Sequence, residues 1–575
     1  MSPHITMRTP GAVLIVMLLL EGWAMAASAP EAVATGVDHR MFIVRLPDGR
    51  LMGAFHRTVE GAPEAAARFS SDHGLTWSEP QSLVELPAEG GACSVAEALI
   101  DRDGEVHLFL LKWAEVGDAT PEETGADTVG NLEGYHGRRL DIWHSRSSDG
   151  RSRWSQPRMI WMGYTGALNS VIQLDSGRIL LPFSEAQPAR SFGDPGEGLV
   201  VWTHMGTFAS TAIYSDDGGE TWQACPERLF APTPSIVHGY GADEPVVIQL
   251  GNGRVWMLMR TQLGHFWQSH SEAGARWTPA HPTDIVSSDS PAGIVRLDDG
   301  RIVLLWNNCQ RFPYAFGGRH VLHAAISDDE GQSWRGYREV ARDPKRFEPP
   351  PSRGDFGTAY PFPAVTGDGH VIFCTGQGAG RVQLKRLDPA WLLETEAASD
   401  FGPNAEEQWH FFGTRGVALV ESDDAASGRL LRIMKPQADW PAAAVWNFPA
   451  GRRGEMHLRL RVNEGCGGLR ICLTDHFSVP FDMEAWLYSV FNIEVGESGG
   501  LLNARLQPGT WHDVQLHWTA DAGWCSASVD GQFAGRVEMR RVTPGVSYVR
   551  LRATAVETDE AGFLVDTVRV RVAGY

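Results

Sequence analysis

The sequence predicts an all-β protein, a six-bladed β-propeller followed by a β-sandwich, and three observations carry that expectation. A short turn motif recurs through the first two thirds of the chain. Between its copies lie brief apolar runs, each ending in a polar-glycine turn, the pattern of strand–hairpin–strand units. After about residue 400 the motif stops and clean period-two alternation sets in, as in Met456–Val462, Val514–Trp518 and Val568–Val572, which marks strands with one buried face.

The motif is S-x-D-x-G-x-T-W. It stands as Ser70, Asp72, Gly74, Thr76, Trp77, again as Ser215, Asp217, Gly219, Thr221, Trp222, and again as Ser327, Asp329, Gly331, Ser333, Trp334. Two worn copies share the frame: Ser147, Asp149 and Trp154 with the glycine displaced to Gly150, and Glu272, Gly274 and Trp277 without the serine. Serine and aspartate bond the turn backbone, glycine takes a dihedral that other residues resist, and tryptophan plugs the neighbouring sheet. These aspartates are therefore structural. The tryptophans at 77, 154, 222, 277 and 334 are spaced as one four-stranded sheet plus loops. Five such units and an unmarked one at 360–385 make six blades, with the strand near 40–56 expected to close the ring.

The 575 residues exceed one hydrophobic core. We expect a signal peptide over 1–26, a propeller over 36–397 and a sandwich over 401–575, each of the last two with its own apolar strands and able to fold alone. Arg8, the apolar run Ala12–Leu20 and Ala24-Met25-Ala26 form the three parts of an export signal, so a secreted or periplasmic location follows, with no membrane insertion after cleavage. A net charge of −20 opposes nucleic acid and anionic membranes at long range. The seven cysteines lack a C-x-x-C spacing, so no metal and no cofactor is expected. Cys466 and Cys472 stand close enough to bridge, and buried free thiols fit equally. An acidic loop at 114–137 and the run Pro349-Pro350-Pro351 interrupt the blades.

On four segments the propeller half resembles the sialidase (neuraminidase) superfamily. These are the stretch from Gly166 through Gln173-Leu174 to Gly177-Arg178 and Leu181-Pro182, Glu244 before a strand pair ending in Arg260, Arg319 ahead of the Ser327 motif with Arg311 nearby, and Tyr360 opening the last blade. The resemblance implies a retaining exo-glycosidase. Arginines clamp the substrate carboxylate, a tyrosine attacks the anomeric carbon, a glutamate takes the tyrosine proton, and an acid/base group serves the leaving oxygen. Arg260 and Arg319 would be two clamp residues, Tyr360 the nucleophile and Glu244 its base. An arginine fork suits a carboxylate, and a neutral phenol approaches an anionic sugar without repulsion. The C-terminal part loosely resembles lectin-like jelly rolls, through Gly509–Val514 and Val529-Asp530-Gly531.

Departures from the family pattern are equally plain. The first clamp arginine should stand in an R-I-P motif, and His39-Arg40-Met41-Phe42 is the nearest stretch, which makes Arg40 the third clamp candidate. The interval from Thr58 to Phe69 should hold the acid/base aspartate and contains only Glu60 and Glu64. Glu60, Glu64 or the acidic loop would then supply the acid/base. Two other readings stay open: a propeller rhamnosidase or polysaccharide lyase using His238 or His204, and a non-catalytic glycan-binding protein. All three place an acidic carbohydrate as the partner.

Overall fold

The computed structural model of the chain describes residues 30–32, 39–115, 139–150, 153–187, 191–192, 201–202, 207–233, 241–309, 318–348, 356–411 and 415–573. The export segment, most of the acidic loop, His204, His238, Arg311 and the three-proline run lie outside them.

Six four-stranded antiparallel sheets follow one another along the chain. Blade 1 holds Phe42–Arg45, Leu51–Val59, Ala62–Ser70 and Gln81–Glu85; blade 2 runs from Cys93–Ile100 to Arg158–Trp161, and blade 3 from Ile172–Gln173 to Gln223–Ala224. Blade 4 holds Asp243–Gln249, Val255–Arg260, His265–Ser271 and His281–Val286, and blade 5 holds Gly293–Arg296, Ile302–Trp306, Val321–Ser327 and Arg335–Arg342. Blade 6 takes Phe362–Val365, Val371–Thr375 and Gln383–Leu387 from its own stretch of chain and its outer strand, Glu31–Ala32, from the N-terminal side. Glu31 pairs with Arg386 and Ala32 with Lys385. The strand near 40–56 therefore does not close the ring: Phe42–Arg45 pairs with Leu51–Val59 inside blade 1, and closure begins earlier, at Glu31. A two-residue strand has too little alternation to be read from sequence.

Both faces of each sheet are apolar because each meets a neighbour. Phe109 and Phe183 join blades 2 and 3, Met257 and Leu180 join blades 4 and 3, Leu258 and Leu304 join blades 4 and 5, and Leu305 and Phe373 join blades 5 and 6. The circle closes through Phe55 against Ile372 and through Phe42 against Val95.

The turn motifs all sit between the third and fourth strands of their blades, and they bind blade to blade. Ser70 Oγ donates to Asp72 Oδ1 at 2.8 Å and accepts from the Gly74 amide at 2.9 Å, while Asp72 Oδ1 accepts from the Thr76 amide at 2.9 Å. Gly74 has φ +88°, and a Cβ there would lie 2.3 Å from Ile372 Cδ1 of blade 6. Trp77, Trp222, Trp277 and Trp334 each pack in the core shared with the preceding blade. One expectation is corrected: the copy at Gly274 does have its serine, Ser271, whose Oγ accepts from the Gly274 amide at 2.8 Å in a turn one residue shorter.

The C-terminal part forms two antiparallel sheets over a single apolar core that includes Trp409, Phe448, Leu458, Leu516, Leu551 and Val570. Arg453–Val462 lies between His512–Thr519 and Asp559–Val572, with alternate residues buried as the sequence implied. All seven cysteines are free and buried. Among the described residues no helix is long and apolar enough to cross a membrane.

The two parts share a buried polar junction. The Glu339 carboxylate of blade 5 accepts from Tyr548 Oη at 2.6 Å, from His410 Nε2 at 2.8 Å and from Arg342 Nε at 2.6 Å. Its amide donates to Asn447 Oδ1 at 3.0 Å. Burial opposes ionisation of Glu339, but His410 and Arg342 outweigh it and hold the carboxyl well below its ordinary range. The propeller and the C-terminal sheets thus share buried polar contacts in addition to their own apolar strands. A chain ending at residue 400 loses the hydrogen bonds that His410, Asn447 and Tyr548 make with Glu339 and exposes Cys309 and Val321, which pack with Val445 and Phe477, a loss on the order of a few kcal/mol. Its urea midpoint is expected well below that of the full chain; equal midpoints would show that the junction carries no stability.

Candidate functional site

First strands begin, second strands end and third strands begin on one face of the ring, and the turn motifs lie on the other. The expected site residues come from those converging ends. Glu244 is the second residue of its strand, Arg260 the last of the next, Arg319 stands just before Val321–Ser327, Tyr360 just before Phe362–Val365, and Arg40 just before Phe42–Arg45.

Tyr360 Oη donates to Glu244 Oε1 at 2.7 Å across 116 residues of sequence. Arg260 Nη1 donates to Glu244 Oε2 at 2.5 Å and to Tyr360 Oη at 3.2 Å, so one guanidinium grips both groups. The guanidinium carbons of Arg319 and Arg40 stand 5.5 and 5.2 Å from the Tyr360 ring centroid. Arg319 Nη1 donates to Gln377 Oε1 at 2.7 Å and Nη2 to the Asp289 carbonyl at 3.0 Å, and Arg40 Nη2 donates to the Gly376 carbonyl at 3.3 Å. Five of the six predicted residues, Arg40, Glu244, Arg260, Arg319 and Tyr360, form one cluster in which all but the half-buried Arg40 are buried.

Glu244 and Tyr360 both adopt left-handed backbone, with φ of 39° and 60°. For residues other than glycine this costs about 1–2 kcal/mol each and persists only where the surroundings impose it. At Tyr360 the preceding carbonyl is pinned: Ala359 O accepts from the Gly376 amide at 3.0 Å and from Thr375 Oγ1 at 3.1 Å. At Glu244 the strand has a register shift between Asp243 and Val246. Burial, and after it the Glu244 charge, push the Tyr360 phenol above its ordinary pKa, against the pull of Arg260 and Arg319. A phenol so placed attacks only as its proton leaves, and Glu244 is positioned to take it.

Two further acidic groups, Asp289 and Asp243, join the cluster. Asp289 Oδ1 accepts from Arg260 Nε at 2.7 Å. Asp243 Oδ1 accepts from Ser184 Oγ at 2.5 Å and from the Glu244 amide at 2.9 Å. Burial, then the Glu244 charge, raise the Asp243 carboxyl to about 7 in spite of Arg260. Glu97, on the first strand of blade 2, is raised to about 8 by burial, and its carboxylate accepts from the Ala98 amide. Asp243 was legible as the neighbour of Glu244, whereas Asp289, in the Ser287–Ser290 loop, carries no motif. The glycine turn at 166 also has a local reason. A Cβ on Gly166 would stand 2.5 Å from Ser184 Oγ and 2.9 Å from Asp243 Oδ1, so only glycine admits the Asp243–Ser184 contact.

Glu60 lies apart from this cluster. It is exposed, at φ 49°, in the turn after Leu51–Val59 on the same face of the ring. Glu64 is held by Arg57 Nε at 2.6 Å and by Ser82 Oγ at 2.9 Å. Among the described residues one grouping has metal-ligand spacing, Asp101, Glu105 and His107, with ligand atoms within 4.8 Å of one another. It sits on the opposite face, and its atoms are engaged: Asp101 Oδ1 accepts from the amides of Asp103 and Glu105, and His107 Nδ1 meets His144 Nε2 at 2.9 Å.

Residues 49–373 match the BNR repeat-like domain. The chain belongs to the BNR repeat-like family. Within the curated proteins this BNR chain is similar to the sialidase of Micromonospora viridifaciens, 25% identical over 326 residues, which is 50% of this chain and 44% of that protein. It is also similar to the sialidase of Vibrio cholerae, 28% identical over 146 residues, 22% of this chain and 19% of that one. It thus spans less than half the length of these relatives. Among solved structures, a protein of unknown function from Dyadobacter fermentans is 16% identical with a TM-score of 0.42, covering 63% of this chain and 98% of its own. Trypanosoma rangeli sialidase in complex with sialic acid is 12% identical with a TM-score of 0.39, covering 93% and 90%.

The Asp243 carboxyl gives a pH test. From about pH 4 to 7 the unfolded carboxyl is ionised while the buried one keeps its proton. The native state then binds more protons, and stability falls as pH rises through that window, levelling above 7. The raised value of about 7 against 3.8 corresponds to at most about 4 kcal/mol. Asp243→Asn is expected to flatten this fall in thermal unfolding measured from pH 4 to 8; an unaltered slope would place the proton elsewhere.

Proposed function

We propose that this chain is a secreted glycoside hydrolase that removes a terminal acidic sugar, sialic acid or a close relative, from glycans with retention of configuration. The observation that carries the proposal is the 2.7 Å Tyr360–Glu244 hydrogen bond with Arg260 bound to both partners. In this reading Arg260, Arg319 and Arg40 receive the substrate carboxylate. Tyr360 Oη forms a bond to the anomeric carbon as its proton passes to Glu244, and the bond to the leaving oxygen breaks. Glu60, on the turn above the same face, protonates that oxygen, and its carboxylate then deprotonates the water that cleaves the tyrosyl glycoside. No cofactor enters this scheme.

Strain favours catalysis over simple glycan binding. A receptor needs the arginines and a ring to pack against, but it has no use for a phenol held at φ 60° beside a proton acceptor. The sialidases among the relatives support the substrate class, and the C-terminal sheets are proposed to be the lectin-like module of the same enzyme.

A panel of fluorogenic glycosides headed by a sialic acid derivative tests the reading. Tyr360→Phe and Glu244→Gln are each expected to lower kcat at least about a hundredfold while the fold is kept, since general base assistance contributes that much or more. Proton NMR of the first-formed product should show the retained anomer. Full activity in Tyr360→Phe, or inversion, would remove this mechanism. Arg319→Ala is expected to raise KM for acidic glycosides at least about tenfold, since a carboxylate loses a charge-assisted partner; an unchanged KM would take Arg319 out of the clamp.

A further inference from the structure

The C-terminal part also touches the propeller through Asn308, just after blade 5's second strand, and Asn307 beside it faces the site. Asn308 belongs to the sandwich side of the junction. Its carbonyl accepts from the Phe477 amide at 2.9 Å, and its Nδ2 donates to the Asp475 carbonyl at 2.9 Å. Phe477 is buried between His320, 6.2 Å away by ring centroids, and His410, at 5.0 Å. Asp475 is itself fixed, by Thr543 Oγ1 at 2.7 Å and by Arg541.

Asn307, next in the chain, belongs to the site side. Its Nδ2 donates to the Val321 carbonyl at 2.6 Å and to the Thr358 carbonyl at 2.8 Å. Its Oδ1 accepts from Ser290 Oγ at 2.7 Å, and its carbonyl accepts from the Ser288 amide at 3.0 Å. The Thr358 amide donates in turn to the Arg319 carbonyl at 2.7 Å. One buried side chain thus ties together the three segments that present Asp289, Arg319 and Tyr360, and its neighbour is clasped by the sandwich.

We propose that the sandwich segment 475–477 positions the site, with Phe477 and Asn308 acting as positioning residues for Arg319 and Tyr360 through Asn307. The second part of the chain is then a structural member of the candidate active site. Two consecutive residues with opposite allegiances cannot move independently, because the peptide between them is planar and only two soft dihedrals separate their side chains. Loosening Phe477 therefore loosens Asn307. Nothing in this contact needs the substrate to be an acidic sugar; only the kinetic arm of its test rests on that reading.

Amide hydrogen exchange of the full chain decides the matter. In Phe477→Ala, and in the milder Phe477→Leu and Asn308→Leu that keep most of the volume, amides of 288–290, 319–321 and 358–360 are expected to exchange about tenfold faster, with Val106–Ala114 of blade 2 unchanged. Unchanged exchange at the three segments would overturn the proposal. So would equal acceleration in blade 2, which is what general destabilisation produces. If the wild type hydrolyses an acidic glycoside, Phe477→Leu should raise KM more than it lowers kcat, and an unaltered KM overturns the proposal as well. If the wild type hydrolyses none, the proposed function fails and the exchange result still stands.

Discussion

Each sheet of the ring has two apolar faces and can bury them only between two other sheets. That constraint organises the molecule. An open row of six such sheets would leave one face bare at each end, and the pairing of Glu31–Ala32 with Gln383–Leu387 removes that exposure by joining the first stretch of the chain to the last blade. The turn motifs serve the same end. Each places a tryptophan and a close-fitting glycine against the preceding blade, so they act as staples between sheets. Closing the ring also brings strand ends from blades 1, 4, 5 and 6 to one axis, which is how Arg40, Glu244, Arg260, Arg319 and Tyr360 come to meet.

At that axis the charges are nearly balanced. Arg260 is shared among Glu244, Asp289 and, at 3.8 Å, Asp243. Burial would expel a lone guanidinium charge, and the surrounding carboxylates hold it in place. Burial, together with the same crowding of acids, drives Asp243 toward its protonated form. A chain of net charge −20 thus gathers Arg40, Arg260 and Arg319 at one point, with Arg260 matched by buried carboxylates. The left-handed backbone of Glu244 and Tyr360 belongs to this arrangement. The register shift at Asp243 and the pinned Ala359 carbonyl bend two strand starts so that their side chains converge.

The junction with the C-terminal sheets sets buried polar groups beside an apolar cluster that includes Val321, Val445 and Phe477, and buried polar groups are costly unless they are matched. Glu339 shows the matching, with Arg342 from its own blade and His410, Tyr548 and Asn447 from the sandwich. Such a contact fixes relative placement more firmly than an apolar patch, because hydrogen bonds are directional and a slipped register leaves charges unpaired.

Much of this was legible in the chain itself. The repeated Ser, Asp, Gly and Trp positions determine tight turns at blade spacing, since they depend on local hydrogen bonds and on glycine's freedom within eight residues. Period two determines which strand faces are buried in the C-terminal sheets. Four residues of the candidate site, Glu244, Arg260, Arg319 and Tyr360, were named through the resemblance of their segments to the sialidase superfamily, not through any local pattern of their own. What the chain could not display are contacts that no local pattern encodes. The two-residue closing strand is too short for periodicity. Ser271 was hidden by a turn one residue shorter than its fellows. Asp289 stands in a motif-free loop and becomes a partner of Arg260 only once blades 4 and 5 are packed. The left-handed backbone at Tyr360, and the Asn307–Asn308 link to the sandwich, were likewise decided by tertiary structure, because they arise from hydrogen bonds between segments that only the closed ring and its buried junction bring within reach.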